Sequence, residues 1–433
     1  MYSRRDRISY ACTALVFAFV TIILLAGVSQ AQTLTVLHNF TGGPDGANPF
    51  GTLIMDSSGN LYGTASSGAN GSCVFIAISG CGTAFKMTNK SGKWGFSTLY
   101  KFEASTDGAA PLAPLTIGPD DKLYGTTNNG GEGPCAYLGD TGCGTVFELP
   151  VTAEPAADKV LYRFSGGDDG GVPLLSGVVF VGNTMFGTTA ADGDLSCNSG
   201  EGCGTVFSVS ATGKETVLHA FTGAGGDGAS PLAGLVADKE GNLYGTTASG
   251  GGLGNCTNGC GTIFEMVRSQ SGWTEKILYA FTGTADGENP NGGLILDSRG
   301  DIYGTTWQGG GGSGGTAWEL HKNASGSWSL FVLTSFETSG FTTSPLVMDS
   351  KGDLFGTTQN GGTFNFGRIF ELIPNPKGFG YKELYDFTGA ADGGNPLGGL
   401  VLDSAGNLYG TTAYDGSGGC GGSGCGVVFE FTP

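Results

Sequence analysis

The sequence predicts an all-β fold, a seven-bladed β-propeller with four antiparallel strands per blade, on three observations. An aromatic-Gly-Thr string recurs at Tyr62, Tyr124, Phe186, Tyr244, Tyr303, Phe355 and Tyr409, a period of about 57 residues. Around each anchor the same short β-branched and aromatic segments return in the same order, separated by Gly, Asp, Asn and Pro. The segment at residues 34–40 has the character of a fourth strand, and the chain closes on a third strand at residues 427–431. Each end is part of a blade; together they complete one. The N-terminal segment is therefore expected to finish the last blade and latch the ring, where a linear array would leave open edges.

Repeat four shows the elements. Strand a is expected at Gly234-Leu235-Val236, b from Leu243 to Thr247, c from Thr262 to Met266 and d from Leu278 to Phe281. Glycines in the a–b connections, as at Gly300, supply the positive φ of a tight hairpin. The glycine within strand b (Gly125, Gly245, Gly410) has another meaning: it points to close approach of a backbone or ring. No stretch of residues 32–433 shows sustained helical periodicity, so these residues are read as a single propeller domain.

Residues 1–31 read differently. Arg4, Arg5 and Arg7 precede an apolar run from about Ala14 to Val28, and Ser29-Gln30-Ala31 offers a cleavage site, the pattern of a secretory signal peptide. The expected location is extracellular, cell-surface or periplasmic, with no membrane span after cleavage. Composition agrees with export: 83 of 433 residues are glycine, and 20 basic face 38 acidic side chains, a formal charge of −18 that disfavours nucleic acid.

The units Gly-Leu-Val-x-Asp-x-x-Gly-Asn-Leu-Tyr-Gly-Thr-Thr and Cys-Gly-Thr-Val-Phe-Glu-Leu resemble the GloVer (Gloeobacter/Verrucomicrobia) tandem repeat, over residues 34–433. The a–b hairpin is also similar to that of NHL-type propeller repeats. The resemblance implies an exported bacterial protein and carries no established reaction, so no catalytic residue follows from it.

Ten cysteines fall as pairs in five repeats: Cys73/Cys81, Cys135/Cys143, Cys197/Cys203, Cys256/Cys260 and Cys420/Cys425. Both members are present or absent together, as local disulfides require in an exported chain, each worth about 2–3 kcal/mol. Zinc would need further ligands nearby.

Strand parity places the d-to-a connections and the b–c loops at one end of every blade. These loops hold Asp45, Glu103, Asp107, Asp168, Asp169, Asp227, Asp286, Glu288, Glu337 and Asp392, then Glu132, Asp140, Asp192, Asp194, Glu201 and Asp415, without Lys or Arg. Such a face would attract cations or cationic partners. Asp45, Asp107, Asp169, Asp227, Asp286 and Asp392 recur as Asp-Gly-x-x-Pro. The preferred reading is a turn in which Asp caps backbone N–H groups; the alternative is a metal ring, for which Ca²⁺ would be the cofactor. Repeats five and six lack the cysteines and carry Trp307, Trp318, Phe364 and Phe366, either a patch that stacks on a sugar or peptide or packing in place of the disulfide.

His38 and His219 stand where Tyr100, Tyr162, Tyr279 and Tyr385 occur in strand d, and read as packing substitutes. No Ser-His-Asp set, metal-binding His motif or phosphate loop is present. The expectation is an exported protein that binds a ligand or partner (glycan, peptide or cation) through its acidic loop face, with no assigned catalysis. Two alternatives remain: a carboxylate- or Ca²⁺-dependent hydrolase or lyase of extracellular glycans or phosphoesters, using Asp168/Asp169, Asp192/Asp194 or Asp286/Glu288, or a structural envelope protein.

Overall fold

The computed structural model describes residues 32–433, apart from 70–72, 76–77, 105, 132–134, 136–141, 153–158, 253, 255, 271, 338–339, 418 and 421–423. The signal-peptide reading (1–31), Glu132 and Asp140 lie outside the described residues. Seven four-stranded antiparallel sheets follow one another, each in the order a-b-c-d. In blade four the strands are Val236–Ala237, Leu243–Thr247, Thr262–Ser269 and Gly272–Ala280. Strands c and d run further than the sequence suggested, because their hairpin continues pairing from Met266–Glu275 out to Ser269–Gly272. Strand a is shorter and later: Gly234 and Leu235 approach it without pairing and turn instead toward the axis.

The seventh blade is composite. Its strands a, b and c are Val401–Leu402, Leu408–Thr412 and Val427–Thr432, and strand d is the N-terminal Thr33–Asn39. Thr33 pairs with Thr432 and Asn39 with Val427, so the expected latch closes the ring.

The hydrophobic core is divided among the gaps between blades, each of which holds one cluster shared by two neighbours. Between blades four and five, for example, Tyr244, Ile263 and Phe281 meet Leu294, Ile302, Trp318 and Leu320. Strand b is buried along its whole length in every full five-residue copy, since it lies inside a sheet covered on both faces. The glycine within it sits under the aromatic ring of strand c: an added Cβ would lie 2.6 Å from Phe85 Cζ at Gly63, 2.6 Å from Phe147 Cζ at Gly125 and 2.5 Å from Phe264 Cζ at Gly245. The ring approach expected from sequence is thus present.

Every strand d carries a bulge. The register with strand c slips by one residue at Leu37, Leu99, Leu161, Leu218, Leu278, Leu333 and Leu384. A bulge re-aims the next side chain, and that residue is Tyr in four blades, His at positions 38 and 219, and Thr at position 334.

The d-to-a and b–c loops do share one end, where short antiparallel bridges join them: Ala47 with Ser67, Ala109 with Asn129, Gly171 with Ala191, Glu288 with Gln308, and Gly394 with Tyr414.

Candidate functional site

Two places could engage a ligand: the axis and the loop end. On the axis lies a cavity of about 320 Å³ to which all seven blades contribute. Its wall is built by the segment leading into strand a of each blade, which supplies Phe50, Leu112, Leu175, Ala233, Asn291, Thr343 and Leu397, together with Ile54, Thr116, Val179 and Val236 of the strands themselves. None of the lining side chains is ionisable. Side-chain polar atoms come only from Thr52, Thr116, Thr343 and Asn291, and Asn291 Oδ1 is buried without a hydrogen-bond partner.

At the loop end, each Asp-Gly-x-x-Pro aspartate is occupied by its own loop. The residue re-aimed by the bulge binds it: the hydroxyls of Tyr100, Tyr162, Tyr279 and Tyr385 donate to Asp107, Asp169, Asp286 and Asp392 at 2.7–3.0 Å. His38 Nε2 lies 3.1 Å from Asp45 and His219 Nε2 3.3 Å from Asp227. A backbone N–H four or five residues upstream also donates to each carboxylate, as Thr41 does to Asp45 and Thr222 to Asp227. The two histidines therefore take over a tyrosine hydrogen bond as well as its packing. Burial lowers the His38 pKa, against the pull of Asp45. Where repeat six has no aspartate, the preceding strand d has Thr334 in place of Tyr; the two partners are lost together.

Four of the five cysteine pairs are bonded: Cys73–Cys81, Cys197–Cys203, Cys256–Cys260 and Cys420–Cys425. The fifth pair, Cys135 and Cys143, also lies side by side, both buried, with their side chains hydrogen-bonded to each other. Asp192 packs beside them, its carboxylate 3.6 Å from Cys135 Sγ. Cys143, burial and the Asp192 charge all push the Cys135 thiol up, which favours the protonated form.

The aromatic sector also needs correction. Trp318 is fully buried, its ring against Phe281, because it occupies the strand-c position held by Phe in the other blades. It offers nothing to a ligand. Phe366 packs on Gly389 and Gly394, and Gly389 corresponds to the loop glycine that meets a disulfide at Gly42, Gly223 and Gly283. It stands in for the missing bridge. Trp307 is half-buried, its ring 5.7 Å from Phe341 in the d-to-a loop of repeat six. Phe364 alone is widely exposed, at 53%.

The remaining acidic candidates are scattered. Asp168 is exposed, whereas Asp169 turns inward within the short turn Gly167–Asp169. Asp192 is buried at 1% exposure and accepts from Gly167 N–H, while Asp194 accepts from Ser196 N–H and is held low by that bonding. Asp286 is bound by Tyr279 and Thr282, and the Glu288 backbone bridges Gln308. Sequence reasoning passed over two glutamates in strand d, Glu215 and Glu275. Burial and the nearby Asp169 push Glu215 up to about 7. Burial chiefly, with Asp227, does the same to Glu275, to about 7, against His219. The signal was their position, three residues before the bulge leucine.

No helix among the described residues is long and apolar enough to cross a membrane. The disulfides fit an oxidising environment outside the cytoplasm.

The Gloeobacter/Verrucomicrobia repeat matches residues 24–200 and 195–429. No curated protein matches the chain. Among solved structures, the chain is similar to a protein described as a putative oxidoreductase (glucose dehydrogenase) from Thermus thermophilus, at 16% identity and a TM-score of 0.47, over 79% of this chain and 100% of that one. It is similar to a gluconolactonase from Xanthomonas campestris at 12% identity and a TM-score of 0.39, over 76% and 97%. A luciferin-regenerating enzyme aligns at 12% identity and a TM-score of 0.42, over 93% and 96%.

Proposed function

The chain belongs to the Gloeobacter/Verrucomicrobia repeat family, and from that premise we propose that it is an exported binding protein which takes a compact apolar or amphipathic ligand on its axis. One observation carries the reading: the axial cavity of about 320 Å³ is lined by all seven repeats and by no ionisable side chain. Small-molecule sites are concave, mostly apolar and equipped with a few oriented polar groups, with volumes of roughly 300–1,000 Å³. The lining here has that composition. Burial of ligand carbon supplies affinity, and Asn291 Oδ1, which has no partner among the described residues, orients it.

A site without acid, base or nucleophile does not perform hydrolysis, so binding is favoured over the hydrolase reading at the axis. The acidic loop end is a weaker candidate for such a ligand than its composition suggests, because six of its carboxylates already accept hydrogen bonds within their own turns.

The test uses the mature chain and the fluorescent apolar probe 1-anilinonaphthalene-8-sulfonate. We expect saturable binding at one site, weakened at least tenfold by Leu175→Trp, which fills the cavity from its wall. Absence of saturable binding, or equal binding by the folded variant, overturns the reading.

A further inference from the structure

We propose that His219, Asp227 and Glu275 form a site for a divalent cation of the zinc class, on the outer rim between blades three and four. Each residue offers one ligand atom, and the three atoms lie within 4.8 Å of one another. The set is one imidazole nitrogen and two carboxylate oxygens, a donor mixture that suits Zn²⁺, Co²⁺ or Mn²⁺ better than the all-oxygen ligation Ca²⁺ prefers. Ligands about 2.1 Å from a tetrahedral centre sit roughly 3.4 Å apart, so a small side-chain rotation closes the set.

The molecule contains its own controls. The gap between neighbouring blades places three groups together: the residue after the bulge in one strand d, the loop aspartate that follows it, and the residue three before the bulge in the next strand d. Between blades seven and one these are His38, Asp45 and Phe96, and the ring of Phe96 stacks on the imidazole at 3.8 Å. Between blades two and three they are Tyr162, Asp169 and Glu215, with a phenol in the imidazole's place. Leu330 and Leu34 stand at the third position in blades five and seven. Among the described residues, these three positions bring imidazole and both carboxylates together only between blades three and four; the other such set, Asp301, Glu319 and His321 in blade five, is already engaged by Arg299.

Charge and access agree. Glu275 Oε1 is buried without a hydrogen-bond partner, and such a group is costly unless a cation or a proton satisfies it. Among the described residues neither Asp227 nor Glu275 is paired with Lys or Arg; the adjacent Lys276 reaches Glu265 instead. Asp227 is already oriented by Thr222 and by Gly228 N–H, the kind of outer support that fixes a metal ligand. The His219 and Asp227 side chains keep 24% and 15% of their surface exposed, which lets water complete the coordination.

The experiment titrates Co²⁺ into the chelator-treated mature chain and follows its visible absorption, then displaces it with Zn²⁺. The expected result is one equivalent bound, at least tenfold weaker in His219→Gln and in Glu275→Leu, and unchanged in His38→Gln. Glu275→Leu reproduces the residue that blades five and seven tolerate, so it retains the fold, as far-ultraviolet circular dichroism will check. No stoichiometric Co²⁺ binding, or equal binding by Glu275→Leu, or loss in His38→Gln, overturns the proposal. The axial cavity is untouched by all three substitutions, so the two proposals fail separately.

Discussion

Replacing Gly245 with alanine tests the packing rule that every blade obeys. Gly245 lies in extended strand b, paired opposite Phe264. Its backbone is ordinary, and on that count alone alanine would stabilise the strand by about 0.5–1 kcal/mol. The new methyl, however, would stand 2.5 Å from Phe264 Cζ and 2.8 Å from Leu235 Cδ2. The phenyl ring cannot easily retreat, because it is fully buried and wedged edge-on against Phe221 at 5.2 Å. Overpacking of this kind costs about 1–3 kcal/mol. The steric cost therefore outweighs the backbone gain, and net destabilisation of about 1–2 kcal/mol is expected. Urea unfolding of the disulfide-intact chain reads it as a lower midpoint at unchanged slope. Phe264→Leu in the same chain should recover part of the loss, with a coupling of about 1 kcal/mol or more. A neutral or stabilising Gly245→Ala, or strict additivity with Phe264→Leu, would refute the argument.

Glu215 makes stability depend on pH. Its folded pKa is raised from 4.5 to about 7, so between those values the folded chain holds a proton that the unfolded chain releases. Its contribution is complete below pH 4.5 and lost as pH rises through 7; Glu215→Gln should flatten the fall in melting temperature over that range, and an unchanged slope would count against it. For the cysteines, thiol titration of the mature chain in denaturant without reductant should find no reactive group at Cys73, Cys81, Cys197, Cys203, Cys256, Cys260, Cys420 or Cys425, as peptide mapping will check. A reactive thiol among these eight would count against the bridges.

The architecture was legible because seven copies repeat one pattern, and unlike positions reveal by comparison what each must do. Strand b was placed to the residue at Leu243–Thr247, and the glycine beneath a ring followed from its oddity within a strand. Trp318 was legible too, but missed: it aligns with the strand-c phenylalanines, and position within the repeat decides its burial more than its size does. The bond between strand-d tyrosine and loop aspartate also had a signal, the joint absence of both around Thr334 and Phe341. The axial cavity had none. Each repeat gives it only a few small or apolar residues, and their convergence exists only once the ring is closed.

That closure has a consequence for how the molecule comes to exist. Thr33 finds its partner at Thr432, so the earliest segment of the folded body waits until nearly the whole polypeptide is present. Six wedges can be assembled from neighbours in sequence, but the seventh demands a contact spanning almost the full length, among the slowest kinds of pairing to search for. Until then the terminal ribbon presents a bare edge ready to capture a wrong strand. The clasp thus makes the period before completion the hazardous one.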